Sequence, residues 1–255
     1  MMKQSPLLQP PSYSELAPPQ HLLSPRVCCI SLNGADKIRL IGTPPELTNP
    51  IRAAITTAWG PIQEESNYHG THQFKIKGNP WYGQGKEAVP ARRLLTGVLR
   101  EMAQHGWNLI QAADVSKKQG DKDSLFFESI AQSHGVMDAG AVDMFAVSFN
   151  SSDKIRVIDA GTHVVTAVRE AVLLQWKAGI QREEFSQGAT EFKLSGYPFV
   201  PDGSAAVYSR MMLSQILANL RSLGYKLYTS VDISMGHDGM DVESWVFRSV
   251  GPAWA

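Results

Sequence analysis

Cysteine is nearly missing from this 255-residue chain: the only two are the neighbours Cys28 and Cys29. Adjacent cysteines make no ordinary structural staple and no metal site by themselves, so a disulfide scaffold is excluded and a reducing, cytoplasmic setting is expected. Net charge is missing as well. Lys+Arg 24 balances Asp+Glu 24 at a formal +0, which is not the basic footprint of a nucleic-acid binder and gives no electrostatic pull toward anionic membranes. No apolar run approaches the roughly 18 residues of a membrane span, and no secretory signal stands at the N-terminus. Catalytic signatures are lacking too: there is no Gly-rich phosphate loop, no zinc-ligand spacing, no nucleophile elbow and no His-Glu-x-x-His helix. No catalytic residue, metal or cofactor is therefore assigned.

What the chain does contain is itself, twice. Asp36-Lys37-Ile38-Arg39-Leu40-Ile41 returns as Asp153-Lys154-Ile155-Arg156-Val157-Ile158, an offset of 117 that Trp59 and Trp176 keep. Gly78 and Gly196, Arg92 and Arg210, Gly106 and Gly224, and Asp114 and Asp232 stand at 118, and Phe127 and Phe247 at 120. Such slow drift at loops, with apolar positions held between them, is what two copies of one fold require. The period exceeds the roughly 20–50 residues of solenoid repeats, so each copy is a domain-sized unit. The division expected is a proline-rich tail 1–26, a first repeat 27–129, a linker 130–142 and a second repeat 143–250.

Within the first repeat, Val27–Leu32 and Lys37–Ile41 read as strands around the turn dipeptide Asn33-Gly34. Thr43-Pro44-Pro45-Glu46 resembles a capping box, and Leu47, Ile51, Ile55 and Trp59 follow at helical spacing, with Pro50 in conflict. Ile62–Glu65 and Gln73–Lys77 form a second strand pair. His69 and His72 lie in it as solvated loop histidines. Gly78-Asn79-Pro80-Trp81, echoed by Gly196-Tyr197-Pro198-Phe199, reads as a structural elbow. Leu94, Leu95, Val98, Leu99 and Met102 mark a helix ended by Gly106; its Arg92 and Arg100 should face water or a partner. Trp107–Val115 alternates as a strand, 117–123 is a polar turn, and Leu125–Phe127 closes the unit. The second repeat follows suit, with Phe145, Val147 and Phe149 alternating and Met212, Leu213, Ile216, Leu217 and Leu220 on its second helix. Residues 251–255 should fray. Each unit thus reads β-β-α-β-β-α-β-β. That order predicts an α+β fold, largely antiparallel sheets with helices on one face, and two units packed about a pseudo-twofold axis.

Duplicated polar residues are the candidates for a site between the repeats. Asp114-Val115-Ser116 recurs as Asp232-Ile233-Ser234, and paired carboxylates can share a proton or a metal. Asp and Ser at strand ends more often satisfy their own following turn. Arg92 and Arg210, each near a helix start, are candidates to hold an anion together, or to cover the core with their stems.

Six prolines crowd residues 1–26, which rules out helix or sheet interior there and predicts a disordered tail of polyproline-II character. Pro10-Pro11-Ser12-Tyr13 resembles the PPxY ligand of WW domains, in which pre-extended prolines enter an aromatic groove at little entropic cost. The resemblance implies a WW-domain partner, such as a HECT-type ubiquitin ligase, with Pro10, Pro11 and Tyr13 as contacts. The same tyrosine opens Tyr13-Ser14-Glu15-Leu16, which resembles the YxxΦ signal read by clathrin adaptor medium chains; that reading implies peripheral residence at endosomal membranes. The favoured function is an intracellular, non-enzymatic adaptor. The alternatives are an enzyme or small-ligand binder with its cleft between the repeats, and a structural or matrix-type assembly protein.

Overall fold

The computed structural model describes residues 27–83, 85–116, 122–129, 142–233 and 243–251. The tail with Pro10, Pro11, Tyr13 and Leu16, Gln84, the tip of the polar turn at 117–121, linker residues 130–141, residues 234–242 with Ser234, and the last four residues lie outside them.

Both repeats fold alike. The first runs β1 (Val27–Asn33), β2 (Lys37–Ile41), α1 (Thr48–Ala58), β3 (Ile62–Tyr68), β4 (Thr71–Ile76), α2 (Ala88–Gln104), β5 (Trp107–Ala113) and β6 (Ser124–Ser129). The second repeats this as β7 (Met144–Asn150), β8 (Lys154–Ile158), α3 (Thr162–Gln175), β9 (Ile180–Ser186), β10 (Ala189–Leu194), α4 (Ser204–Ser222), β11 (Tyr225–Val231) and β12 (Ser244–Ser249). Each makes a six-stranded, wholly antiparallel sheet, in the orders β3-β4-β2-β1-β6-β5 and β11-β12-β7-β8-β10-β9. The repeated Lys-Ile-Arg segments lie in β2 and β8, near the centre of each sheet, so Ile38 and Ile155 are buried. The fold is α+β, a tandem duplication in which each repeat lays its own two helices on one face of its sheet.

Local details follow from the residues. A 3-10 turn at Pro45–Leu47 leads into α1, and neither start uses a side-chain cap, so Thr43 does not complete a capping box. Pro50 falls in the first turn of α1, where its missing N–H would have had no intrahelical partner anyway, and the helix need not begin after it. The elbow glycines Gly78 and Gly196 have φ of +91° and +78°, and a Cβ there would sit 3.4 and 3.5 Å from Trp59 and Trp176. Each of those indoles donates to a backbone carbonyl beside its elbow, Trp59 to Lys77 and Trp176 to Ser195, both at 2.8 Å.

The mutual packing of the halves differs from the pseudo-twofold expectation. Exchange symmetry would require α4 to lie on β1 as α2 lies on β7. Instead α2 packs on β7 and β8, and α4 makes no comparable contact with the first sheet among the described residues. The layers run first sheet, α1 and α2, second sheet, α3 and α4. The physical cause is visible in the back of the second sheet. Met144, Val231, Ile233 and Val246 complete the core of the first repeat, while Ala146, Ile158 and Ala189 close around Val89 of α2. β7 is buried on both faces at Met144–Phe149, so α2 has an apolar bed to lie on. The core beneath α3 and α4, by contrast, is built from the second repeat alone.

Candidate functional site

Two places hold the residues singled out in the sequence: the seam between the repeats, and the outward face of α4.

The seam is organised by α2. Because it is covered on two sides, its buried residues wrap most of the helix, from Ala88 and Val89 through Arg92 and Thr96 to Ala103. Arg92 is 1% exposed. Its Nε donates to Ser244 Oγ on β12 at 3.0 Å, and its Nη1 donates to the Gly83 carbonyl at 2.7 Å. The next residue, Arg93, holds Asp159 with two bonds of 2.7 and 2.6 Å and donates also to the Gln187 carbonyl at 2.5 Å. This fork meets a carboxylate in the geometry that arginine satisfies best. The Asp159 bond holds the guanidinium above its ordinary pKa, against partial burial. Arg100 donates to the Met144 carbonyl at 2.7 Å. At the far edge, β5 meets β11: the Leu109 N–H donates to the Tyr228 hydroxyl at 2.6 Å, and Arg248 donates to Asn108 Oδ1 at 2.6 Å. Arg92 and Arg100 thus face a partner, and that partner is the second repeat.

The four duplicated candidates do not converge. Asp114 accepts from the Ser116 N–H at 3.0 Å, the local strand-end bond that its sequence suggests. Asp232 is exposed, and its own N–H donates to Asp123 Oδ2 at 3.1 Å. Arg210 is exposed on the outward face of α4, its Nη1 donating over a long 3.5 Å to the Ala206 carbonyl, whereas Arg92 is sealed in the seam. The carboxylates do gather loosely around Asp123. Burial pushes the Asp123 carboxyl above its ordinary range, the Asp232 N–H bond pulls it back, and the negative charges of Asp232, Glu243 and Asp114 push it further up. Among the described residues no group of three or more His, Cys, Asp or Glu is placed to hold a metal ion. His72 lies 3.0 Å from Glu65, which also takes two bonds of 2.7 Å from Arg52.

The outward face of α4 carries an open groove. It is lined by Ala206, Val207, Arg210, Met211, Ser214 and Ala218 of α4, with Gln175 at the end of α3 and Gln215 beside it. α4 buries only one narrow stripe, Ser209, Met212, Ile216 and Leu220. Val207 and Met211 lie off that stripe, 60% and 44% exposed. These two escaped attention in the sequence because the helix already had a sufficient apolar face. Their spacing of four, beside that face, is the signal that a second contact surface exists.

A family model of an uncharacterised domain matches the chain twice, over residues 26–128 and 143–248, and the chain belongs to this family with two copies of its domain. No curated protein and no solved structure matches it. No helix among the described residues is long and apolar enough to cross a membrane.

Proposed function

We propose that the chain is a non-enzymatic adaptor: the duplicated body is a rigid platform, and the segment ahead of β1 presents Pro10-Pro11-Ser12-Tyr13 to a WW domain. The observation that carries this reading is the motif itself, set among six prolines just before the first strand at Val27. Proline fixes the extended backbone in advance, so little conformational freedom is left to lose on binding. The body supports the same reading, since the side chains most suited to chemistry serve structure: Arg92 ties α2 to β12, and Asp114 closes its own turn. Against a ligand cleft between the repeats stands the burial of Arg92 in a filled seam. A HECT-type ubiquitin ligase is one class of partner that carries such WW domains. The cytoplasm is the compartment that this function implies.

The test is capture of isolated WW domains by the full chain and by three variants. Tyr13→Ala should abolish capture with the thermal midpoint unchanged, and Pro11→Ala should do the same. Leu16→Ala should leave it intact. Equal capture by wild type and Tyr13→Ala refutes the proposal. Loss of binding to a clathrin adaptor medium chain on Leu16→Ala, with no WW capture by any form, would assign Tyr13 to the YxxΦ reading instead.

A further inference from the structure

The contact between the repeats runs in one direction, and among the described residues that leaves one helical face and one sheet face without their counterparts. On the helical side, the offset of 118 carries Val89, Arg92, Arg93, Thr96 and Arg100 onto Val207, Arg210, Met211, Ser214 and Ala218. The first five lie on the face of α2 turned to the second sheet, three of them bonded across the seam. The last five all line the open groove of α4. The groove is therefore the same surface as the one that docks inside the chain, in the copy that has nothing to dock on among the described residues.

The sheet side corresponds. Offsets of 117 and 120 carry Met144, Ala146, Ile158, Ser244 and Val246, the bed beneath α2, onto Val27, Cys29, Ile41, Ser124 and Phe126. These five share the outer face of the first sheet, opposite the core residues Cys28, Ile30, Leu40, Leu125 and Phe127. Their apolar character is kept, yet Val27 is 57% and Ile41 40% exposed, and Cys29 and Phe126 are only half-buried. The serine that accepts from Arg92 also persists, as Ser124 opposite the position Arg210 would take.

We propose that the chain associates head to tail with further copies of itself, the α4 groove of one copy seated on the outer face of the first sheet of the next. The occupant is argued from the chain's own interface: the step that carries the first repeat onto the second, taken once more, brings a new first repeat onto α4. Such a contact joins two different surfaces, so it leaves one of each free at the ends and extends unless the rotation closes a ring. Two bonded elements of the internal seam are not copied: Arg100, which donates to the Met144 carbonyl, becomes Ala218, and the Arg93–Asp159 pair is lost. Arg93 becomes Met211 and Asp159 becomes Gly42, so the two-bond ionic latch gives way to an apolar contact. The junction between chains is accordingly weaker than the seam within one and is reversible. This proposal does not depend on the tail motif.

Sedimentation velocity on the full chain, at rising concentration up to roughly 0.1 mM, tests it. The variants are Met211→Glu on the helical face and Ile41→Glu on the sheet face, with Val27→Glu in reserve should Ile41→Glu disturb folding. Wild type should grow beyond a dimer as concentration rises. Each variant alone should stay monomeric with an unchanged unfolding midpoint. An equimolar mixture of the two should give a one-to-one dimer and nothing larger, because one intact face of each kind remains. A wild type that stays monomeric overturns the proposal. So does self-association of either variant alone, which would mean a contact between like faces, and so does a mixture that forms no complex.

Discussion

Arg92 and Arg210 are the same residue at the same place in the two repeats, and their removal should have very different consequences. Arg92→Ala deletes a side chain that is 1% exposed. It leaves the Gly83 carbonyl and the Ser244 hydroxyl without the donors now 2.7 and 3.0 Å away, at about 1–3 kcal/mol for each buried group left unmet. It also opens a void between α2 and β12, and the surrounding strands can relax into it only in part. The expected loss is about 3–5 kcal/mol, a third or more of the stability of an ordinary domain. Arg92→Lys should fall between, since an ammonium cannot reach two acceptors with the fork of a guanidinium. Arg210→Ala removes an exposed side chain with a long helical bond and should change stability by no more than about 0.5 kcal/mol. The assay is urea unfolding followed by tryptophan fluorescence, at protein concentrations low enough to keep the chain monomeric, with midpoints compared at fixed slope. A double-mutant cycle with Ser244→Ala isolates the cross-seam bond. Equal destabilisation by the two alanine variants would refute the one-way packing on which this reasoning rests.

Other outcomes follow from the same seam. Gly70 and Gly188 occupy equivalent hairpins with φ of +79° and +76°, so alanine strains both backbones alike, but only at Gly188 would a Cβ meet Arg93 Nη2 at 2.8 Å and Asp159 Oδ1 at 3.0 Å. Gly188→Ala should therefore lower the unfolding midpoint clearly more than Gly70→Ala, and Arg93→Ala, which removes the closer contact and frees Asp159 to move, should shrink that difference. Asp123 has its folded-state pKa raised, so protonation favours the fold: the stability it contributes is complete below its unfolded pKa and is lost as pH rises through the folded value. Asp123→Asn should accordingly stabilise the chain at neutral pH, an advantage that fades on acidification, as pH-dependent urea midpoints will register. Glu65 and Glu183 behave oppositely. The Arg52 bond holds Glu65 below the usual carboxylate range and the Arg169 bond does so for Glu183, each against some desolvation. Their support should be present above the unfolded carboxylate pKa and decline as pH falls through the folded values; charge-neutral Glu65→Gln and Glu183→Gln variants should flatten the acid limb of the stability curve.

The architecture of each repeat was legible because its signals are local. Asn33-Gly34 marks the first hairpin, and Gly106 and Gly224 end their helices at φ of +80° and +90°. The recurrence of Asp36–Ile41 as Asp153–Ile158 fixed the duplication. The direction of packing was not legible in the same way, because Arg92 and Arg210 look identical as letters and differ only in what the other repeat places above them. One signal did exist. β7 reads Met144-Phe145-Ala146-Val147-Ser148-Phe149 with no strongly polar residue between the aromatics, which marks a strand covered on both faces, whereas attention to the Phe-Val-Phe alternation suggested only one. Its equivalent, Val27 to Leu32, has a similar pattern but an outer face that the described residues leave uncovered. The two arginine candidates part company for a related reason. Polar residues recurring in both copies signal shared structure, as Asp114 and its Ser116 bond illustrate, and the surface that distinguishes the copies lies where Arg93 changes to Met211.

The completion of the first repeat's core by Met144, Val231, Ile233 and Val246 has a consequence for biosynthesis. A ribosome delivers the N-terminal half first, yet that half is the one whose interior stays unfinished until β12 has emerged. The later half needs no residue from the earlier one for its main core. A nascent chain halted after β6 would present the uncovered side of α2 to solvent, a surface suited to chaperones, and final consolidation would wait for the last strand to leave the exit tunnel.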